Sequence, residues 1–340
     1  MTPRPTRRER RDRLIRWAGP GALLGCLLLL RLLGDRWWPT LPLLYGPRFI
    51  LAALLVTPLL ARPRAARRAT LAAGAVGALA LALVMDVRLP WGRLARAATP
   101  SDAAAVQVVA WNAAGRRTAA ADDAARLAAT GADVVVISEC SAELATALDA
   151  AAFTAHRTAD VCLATTHDVI EWAPRNPRDF WEMGGSGSIG KLVVSIGGTG
   201  LVVGGVHLET PREPLAALAN AALRTFRRGA IEYIAQRDLE SSVARSWIAP
   251  ATETRPVIIA GDFNLVVESA IYRRWWGDLA NAFSEVGTGL GWSKETRLFG
   301  VRIDHVLAGG GVVVRRARLL AADGSDHRPL LVDLEVPTRP

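Results

Sequence analysis

The chain has 340 residues, 51% of them hydrophobic, with 41 Lys and Arg against 32 Asp and Glu for a formal net charge of +9. That apolar fraction excludes disorder as the main state, and the length allows a large core and more than one domain. Three cysteines, Cys26, Cys140 and Cys162, are too few and too scattered for a disulfide framework or a cysteine zinc site.

A charge of +9 invites a nucleic-acid reading, but its distribution points elsewhere. Residues 1–99 hold 17 Arg, no Lys and 4 acids, a net +13; residues 100–340 hold 24 basic and 28 acidic side chains, a net −4. The basic third is also the apolar third. After Arg4, Arg7, Arg8, Arg10, Arg11, Arg13 and Arg16, apolar runs cover 17–34, 41–61 and 69–85. Each approaches the roughly 20 residues that cross a bilayer, which predicts an N-terminal bundle of about three transmembrane helices. Arg31 and Arg48 lie within two turns of a proposed end, where each can snorkel to an interface. The competing readings are a cleaved signal peptide for the first run and buried soluble helices for the other two. The two further runs and the lack of an obvious small-residue cleavage site weigh against the signal peptide.

The N-terminal tail and the 62–68 loop together hold 11 Arg. Positive charge marks the cytoplasmic side of a cell membrane, so an odd number of spans places residues 100–340 on the external face. Trp37, Trp38 and Trp91 fall at the outer ends, as interfacial aromatics do. Residues 90–100 read as a juxtamembrane linker. The expected organisation is a membrane anchor over 1–99 and a second domain over 100–340.

In that second domain, Val106–Trp111 and Val134–Ser138 predict strands separated by an Ala-rich helix over 118–130. Lys191–Ile196 and Leu201–His207 flank Gly-Gly-Thr-Gly as a hairpin. A long helix is expected over 213–244, and strands over 257–260, 301–307, 311–316 and 330–335. Hairpins mixed with helices predict a layered α/β sandwich more than a purely parallel sheet.

The polar residues cluster at the ends of the apolar strands. Asn112 follows Val-Val-Ala-Trp, Glu139 follows Val-Val-Val-Ile-Ser, and His207 follows Val-Val-Gly-Gly-Val. Asp262 and Asn264 follow Val-Ile-Ile-Ala-Gly, Asp304 and His305 follow Gly-Val-Arg-Ile, and Asp326 and His327 precede Arg-Pro-Leu-Leu-Val. Oxygen ligands of this kind suit a hard cation such as Mg²⁺ or Mn²⁺, and a carboxylate-oriented His suits acid or base work. Together they suit attack of water on a phosphate ester. Singly, each fragment has a plain structural reading: Gly-Asp-Phe-Asn as a tight turn, Glu139 as a helix N-terminal acid, His207 as a structural histidine. His156, His167 and His305 are read as structural, with His305 a neighbour of the site.

The ordered set Trp-Asn (111–112), Ser-Glu (138–139), Val-His-Leu-Glu-Thr-Pro (206–211), Gly-Asp-Phe-Asn (261–264), Arg-Ile-Asp-His-Val (302–306) and Ser-Asp-His-Arg-Pro (325–329) resembles the endonuclease/exonuclease/phosphatase superfamily. The resemblance spans about 104–336 and implies a DNase I-like four-layer α/β sandwich and a metal-dependent phosphoric ester hydrolase. It implies metal binding by Asn112, Glu139 and Asp326, with Mg²⁺ or Mn²⁺ as cofactor. It implies catalytic roles for His207 (acid or phosphate contact), Asp262 and Asn264 (water and phosphate positioning), Asp304 (orienting the final histidine) and His327 (general base). Ser138 stands where the family often has Gln. The tyrosine of the abasic-site nuclease branch has no evident counterpart. The glycine-rich stretch Gly184, Gly185, Gly187 and Gly190 matches no family pattern.

Membrane-anchored bacterial members of this superfamily, including those associated with glycopeptide resistance, have a similar layout. The net −4 of residues 100–340 disfavours nucleic acid, which is bound largely through basic contacts. The expected substrate is therefore a phosphate ester or pyrophosphate, possibly lipid-linked, at the bilayer surface. A membrane-tethered nuclease acting on extracellular nucleic acid is the alternative, and a non-enzymatic membrane protein with a relic domain is disfavoured by the intact set.

Overall fold

The structure is a computed structural model that describes residues 6–61, 67–90, 103–250 and 253–338. The chain divides into two compact units, Met1–Val87 and Arg88–Pro340. Arg4, Arg62 and Arg64 of the basic segments, and Trp91 with nearly all of the expected linker, lie outside the described residues.

The first unit is helical. Helix α1 (Arg7–Leu28) starts at a capping box, in which Thr6 and Glu9 satisfy each other's backbone N–H groups. Its path continues through a π-helical turn, Leu29–Leu33, and a short 3₁₀ turn to Arg36, 30 residues in all. The middle segment contains α2 (Leu41–Tyr45), a 3₁₀ stretch Arg48–Val56 and α3 (Thr57–Leu60). Helix α4 (Arg67–Val84) follows. Among the described residues, two helices are long and apolar enough to cross a membrane, or three if the middle segment counts as one.

That middle segment differs from the straight span expected over 41–61. Its limbs, Trp38–Tyr45 and Arg48–Leu60, meet at 85°. The break falls at Gly46-Pro47, where the extended Gly46 ends the first limb and Pro47 has no N–H to continue a helical ladder. Arg48 also differs from expectation. Instead of snorkelling, its guanidinium donates to the carbonyls of Leu43, Leu44 and Val84, at helix ends that lack intrahelical partners. Leu28, Leu32, Ile50, Leu59, Leu71 and Leu79 point outward, as a lipid-facing surface requires. Small residues line the helix contact: a Cβ on Gly77 would meet Leu55 at 2.9 Å.

The second unit is built from two six-stranded sheets. The first has the order β13-β14-β1-β2-β4-β3 and the second β5-β6-β7-β8-β12-β9. The first comprises β1 (Ala103–Asn112), β2 (Val134–Ser138), β3 (Thr154–Thr158), β4 (Val161–Thr165), β13 (Val313–Leu319) and β14 (Leu330–Pro337). The second comprises β5 (Val169–Pro174), β6 (Ser188–Ile196), β7 (Thr199–His207), β8 (Val257–Asp262), β9 (Ala280–Asn281) and β12 (Asp304–Gly309). A small hairpin, β10 (Lys294–Glu295) with β11 (Gly300–Val301), stands apart.

Alternation explains the layers. Val106, Val108 and Ala110 of β1 meet Val203, Ile258 and Val306 of the other sheet in one apolar core between the sheets. Each fully buried Val or Leu stabilises by about 1.5–3 kcal/mol relative to exposure. The opposite faces take helices. Helices α5 (Ala120–Ala129) and α6 (Ala142–Ala150) cover Val109, Val135 and Ile137, while α7 (Pro177–Glu182), α9 (Leu223–Ile248) and α10 (Ala270–Trp275) cover Val193, Val202 and Ile259. Helix α8 (Arg212–Ala219) precedes α9, and α11 (Ala282–Val286) packs into the central core. The result is the expected DNase I-like four-layer sandwich.

Three differences have local causes. The helix expected over 213–244 is two helices, broken where Ala221 adopts a φ of 56°. The strand expected over 301–307 is interrupted, with Arg302 and Ile303 between β11 and β12. Cys140 and Cys162 form a disulfide, against the expectation drawn from cysteine count. Antiparallel pairing of β2 with β4 sets Ile137 opposite Cys162, and the chain turns back three residues later at Cys140.

Candidate active site

The polar residues at strand ends meet at one end of the sandwich. Parallel pairing sets Asn112 beside Ser138 in one sheet and His207 beside Asp262 in the other, and antiparallel pairing sets Asp304 opposite Asp262. Ser138 staples the sheets together there. Its hydroxyl donates to the Val206 carbonyl at 3.1 Å and accepts the Asp262 N–H at 3.0 Å. Gly261 is required by this approach: its φ is 132°, and a Cβ would lie 2.0 Å from the Val206 carbonyl oxygen. Glu139 leaves β2 with a φ of 50°, a conformation non-glycine residues adopt rarely and often at functional sites.

Asn112 links the two sheets' carboxylates. Its amide nitrogen lies 3.0 Å from both Glu139 Oε1 and Asp262 Oδ2, while its oxygen accepts the Ala114 N–H. Asp262 Oδ1 accepts the Asn264 N–H at 2.9 Å, and the Asn264 side chain donates to the Leu208 carbonyl. His327 Nδ1 lies 2.8 Å from Asp304 Oδ2, and its Nε2 lies 3.8 Å from both Asp262 and Asp326. His207 Nδ1 lies 2.7 Å from Asp160 Oδ2, with Nε2 4.0 Å from Glu139. The residues expected from sequence are thus brought together. Glu139, His207, Asp262, Asn264 and His327 line one pocket of about 150 Å³. Asp304 and Asn112 lie buried beneath it, and Asp326 stands half exposed at the rim.

Two residues of this cluster carried no signal in the sequence reading. Asp160 sits in the tight turn between β3 and β4 and backs His207. Lys294, on β10, donates to Asp326 Oδ2 at 2.6 Å and lies 2.9 Å from His327 Nε2. An ammonium has only protons to offer, so in the neutral ring this contact assigns the lone pair to Nε2 and the proton to Nδ1, which donates it to Asp304. His305 faces away from the pocket. It is fully enclosed by Phe263, Tyr272, Asn281 and the Leu265 carbonyl, and burial followed by the Arg302 charge pushes its pKa down to about 4.

Burial dominates the electrostatics, and the pairings decide the outcome. Burial opposes a charged ring at His207, but Asp160, Asp262 and Glu139 outweigh it and push its pKa up to about 9. At His327 burial is likewise overcome, by Asp304 and then Asp262, and the pKa is raised. Asp304 is held below the usual carboxylate range by His327 despite its burial. Asp262 is pushed up by burial and by the charge of Asp304. The crowding suits a cation. Ligand atoms of Asp262, Asp304 and His327 lie within 4.8 Å of one another, and Asp304 Oδ1 is buried without a partner among the described residues. Together with Glu139 and Asp326 they form an oxygen-rich donor set that fits a divalent metal.

Comparisons with known proteins bear on the family and the fold. The model of the Endonuclease/Exonuclease/phosphatase family matches residues 109–327. Among solved structures, a D. rerio TDP2 humanized by 14 mutations superposes with a TM-score of 0.52 at 18% identity, covering 68% of this chain and 98% of its own. D. rerio TDP2 complexed with single strand DNA product gives 0.50 at 18% identity, covering 68% and 99%. TDP2 from C. elegans gives 0.50 at 15% identity, covering 84% and 88%. At such identities the likeness is one of fold. No curated protein matches the chain.

Proposed function

The chain belongs to the endonuclease/exonuclease/phosphatase family, and from that premise we propose that it is a membrane-anchored phosphoesterase acting on a lipid-linked phosphate ester or pyrophosphate at the external face of the cell membrane. Family membership makes it a metal-dependent phosphoric ester hydrolase. The observation that carries the reading of the site is the pair of carboxylate-backed histidines, His207–Asp160 and His327–Asp304, on either side of Asp262.

In this reading His327 Nε2 takes a proton from the attacking water, while Asp304 holds the ring in the tautomer that leaves Nε2 free to accept. Asp262 and Asn264 orient the water and a phosphoryl oxygen. The phosphorus–oxygen bond to the leaving group breaks, and His207, charged at neutral pH, returns a proton to the departing oxygen. Glu139 and Asp326 would hold a divalent cation, Mg²⁺ or Mn²⁺, with Asn112 fixing the Glu139 carboxylate; when bound, the cation neutralises charge on the phosphoryl oxygens. Entry of an anionic phosphate gives Lys294 a competing acceptor and releases His327 Nε2.

Three observations support, in turn, the membrane anchor, the substrate class and the external placement. The first unit carries two or three helices long and apolar enough to span a bilayer. Residues 100–340 are net −4, poor for general nucleic-acid affinity. A Cys140–Cys162 disulfide persists in oxidising compartments. The alternative, a membrane-tethered nuclease, is favoured by the structural likeness to D. rerio TDP2 with single strand DNA product. The test is hydrolysis by the full-length chain in detergent with Mg²⁺, offered DNA or a prenyl diphosphate. Phosphate release from the lipid, abolished by Asp262→Ala and by His327→Ala, is expected. DNA cleavage lost in both variants, without lipid phosphate release, selects the nuclease.

A further inference from the structure

The pocket has two sides of unequal function. The strand order β7-β8-β12 places His207 on one side of Asp262 and Asp304, with its partner His327, on the other. In-line displacement needs the entering water and the departing oxygen on opposite faces of phosphorus. With water at His327, the leaving group departs toward His207. The pocket wall there is made by Ser186, Glu209 and Thr210.

That wall hangs from a buried ion pair on α9. Arg237 and Glu240, three residues apart, share a helix face with Tyr233, and both charged side chains are fully buried. Both terminal nitrogens of Arg237 lie 2.7 Å from Glu240 Oε2. Glu240 Oε1 accepts the backbone N–H groups of Ser186 at 2.7 Å and Gly187 at 3.0 Å, and Oε2 accepts that of Glu209 at 3.1 Å. Arg237 Nε donates to the Glu209 carbonyl at 3.1 Å. Two loops distant in sequence are therefore fastened to one carboxylate. The Ser186 hydroxyl then meets the Glu209 carboxylate.

This fastening accounts for glycines that match no family pattern. A Cβ on Gly185 would lie 2.9 Å from Glu240 Cγ, and one on Gly187 would lie 3.1 Å from Glu240 Oε2. The same helix face braces the pocket floor, where the Tyr233 hydroxyl donates to the Asn264 carbonyl at 3.0 Å. Buried ion pairs are poor stabilisers, since an apolar pair of similar volume often serves as well. A pair that satisfies three loop N–H groups at a pocket edge has a positional use instead.

We propose that Arg237 and Glu240 are positioning residues that fix the wall of Ser186, Glu209 and Thr210 on the leaving-group side, and that this wall selects the organic group released from the phosphate. The proposal rests on the phosphoesterase reading above. Its test follows the full-length chain in detergent micelles with Mg²⁺, measuring hydrolysis of bis(p-nitrophenyl) phosphate and amide hydrogen exchange. Wild type is compared with Glu240→Gln and with Gly185→Ala, which crowds Glu240 and leaves every charge in place. Should Glu240→Gln fail to fold, Gly185→Ala carries the test. Exchange at Ser186, Gly187 and Glu209 is expected to quicken about 10-fold or more, with KM raised about 10-fold and kcat within about threefold. Unchanged exchange overturns the proposal. Faster exchange with unchanged KM also overturns it, by reducing the pair to a structural role. Absence of hydrolysis of both the diester and a prenyl diphosphate in the wild type instead defeats the phosphoesterase reading and the wall's part in it, while the exchange result still decides whether the pair holds the wall; if only the prenyl diphosphate is cleaved, KM and kcat are read on it.

Discussion

His207 and His327 each lean on a carboxylate, yet their second nitrogens face different company. His207 Nε2 looks toward Glu139, which with Asp160 and Asp262 favours its charged form; His327 Nε2 faces the Lys294 ammonium, which favours a lone pair. That difference suits one ring to donating and the other to accepting a proton. It also has a consequence for stability. His207 has its pKa pushed up to about 9 in the folded chain, against about 6.5 unfolded. The stability it contributes is complete below pH 6.5 and lost as pH rises through 9, because there the folded state binds more protons than the unfolded. The ceiling on that contribution is ~3 kcal/mol. In EDTA, thermal melts of the wild type should fall between pH 6.5 and 9, and His207→Gln should lose most of that slope; a slope retained in the variant would place the titration elsewhere. Glu139 permits a second residue-scale prediction. If it holds the cation, Glu139→Gln should weaken Mn²⁺ binding by about 10-fold or more in a calorimetric titration, with Asp304→Asn weakening it less. The reverse order would move the ion into the buried group of Asp262, Asp304 and His327.

At the scale of elements, the disulfide ties two turns that carry site residues. Cys140 follows Glu139, Cys162 lies two residues after Asp160, and the Cys140 N–H donates to the Asp160 carbonyl at 2.7 Å. Closing a loop of 22 residues restricts the unfolded chain by an amount usually near 2–4 kcal/mol. Cys140→Ser with Cys162→Ser should therefore lower Tm by several degrees and weaken Mn²⁺ binding through Glu139; an unchanged Mn²⁺ affinity would confine the disulfide to stability. This tie was not legible in the sequence, because it depends on β2 pairing with β4, and neither β3, β4 nor β5 was read as a strand. Thr154–Thr158 and Val169–Pro174 are short edge strands whose residues, Thr158 apart, are half-buried or exposed, with no clean alternation. Asp160 was hidden for the same reason: an acid in a turn ordinarily favours the turn itself. Lys294 was hidden because its contact with His327 is made only when β10 folds against the 325–329 loop. What the sequence did carry were the central strands, whose unbroken apolar runs end in polar residues. Register then delivers Asn112, His207, Asp262 and Asp304 to one edge without any long-range information beyond pairing order.

For the whole molecule, the number of crossings fixes the compartment of the catalytic unit. If Trp38–Leu60, bent by 85°, is one broken span, the chain crosses three times and its ends lie on opposite sides. The N-terminal arginines and those of the 62–68 loop then share the cytoplasmic face, as positive-inside behaviour favours. If the segment instead dips in and returns, the chain crosses twice, the two arginine clusters face opposite compartments, and residues 100–340 lie beside the N-terminus. The second arrangement splits the positive charge and leaves Cys140 and Cys162 in reducing surroundings, where their bond would not persist. Both arguments favour three crossings, and they are independent, one resting on arginines outside the catalytic unit and the other on cysteines within it. Alkaline phosphatase, which is active only after export, separates the cases when fused at two points. Three crossings predict an active fusion after Pro340 and an inactive one after Ala61. The opposite pattern would place the site in the cytoplasm. It would also remove external lipid intermediates from the candidate substrates and require both cysteines to be recovered as free thiols by alkylation of whole cells after rapid acid quenching.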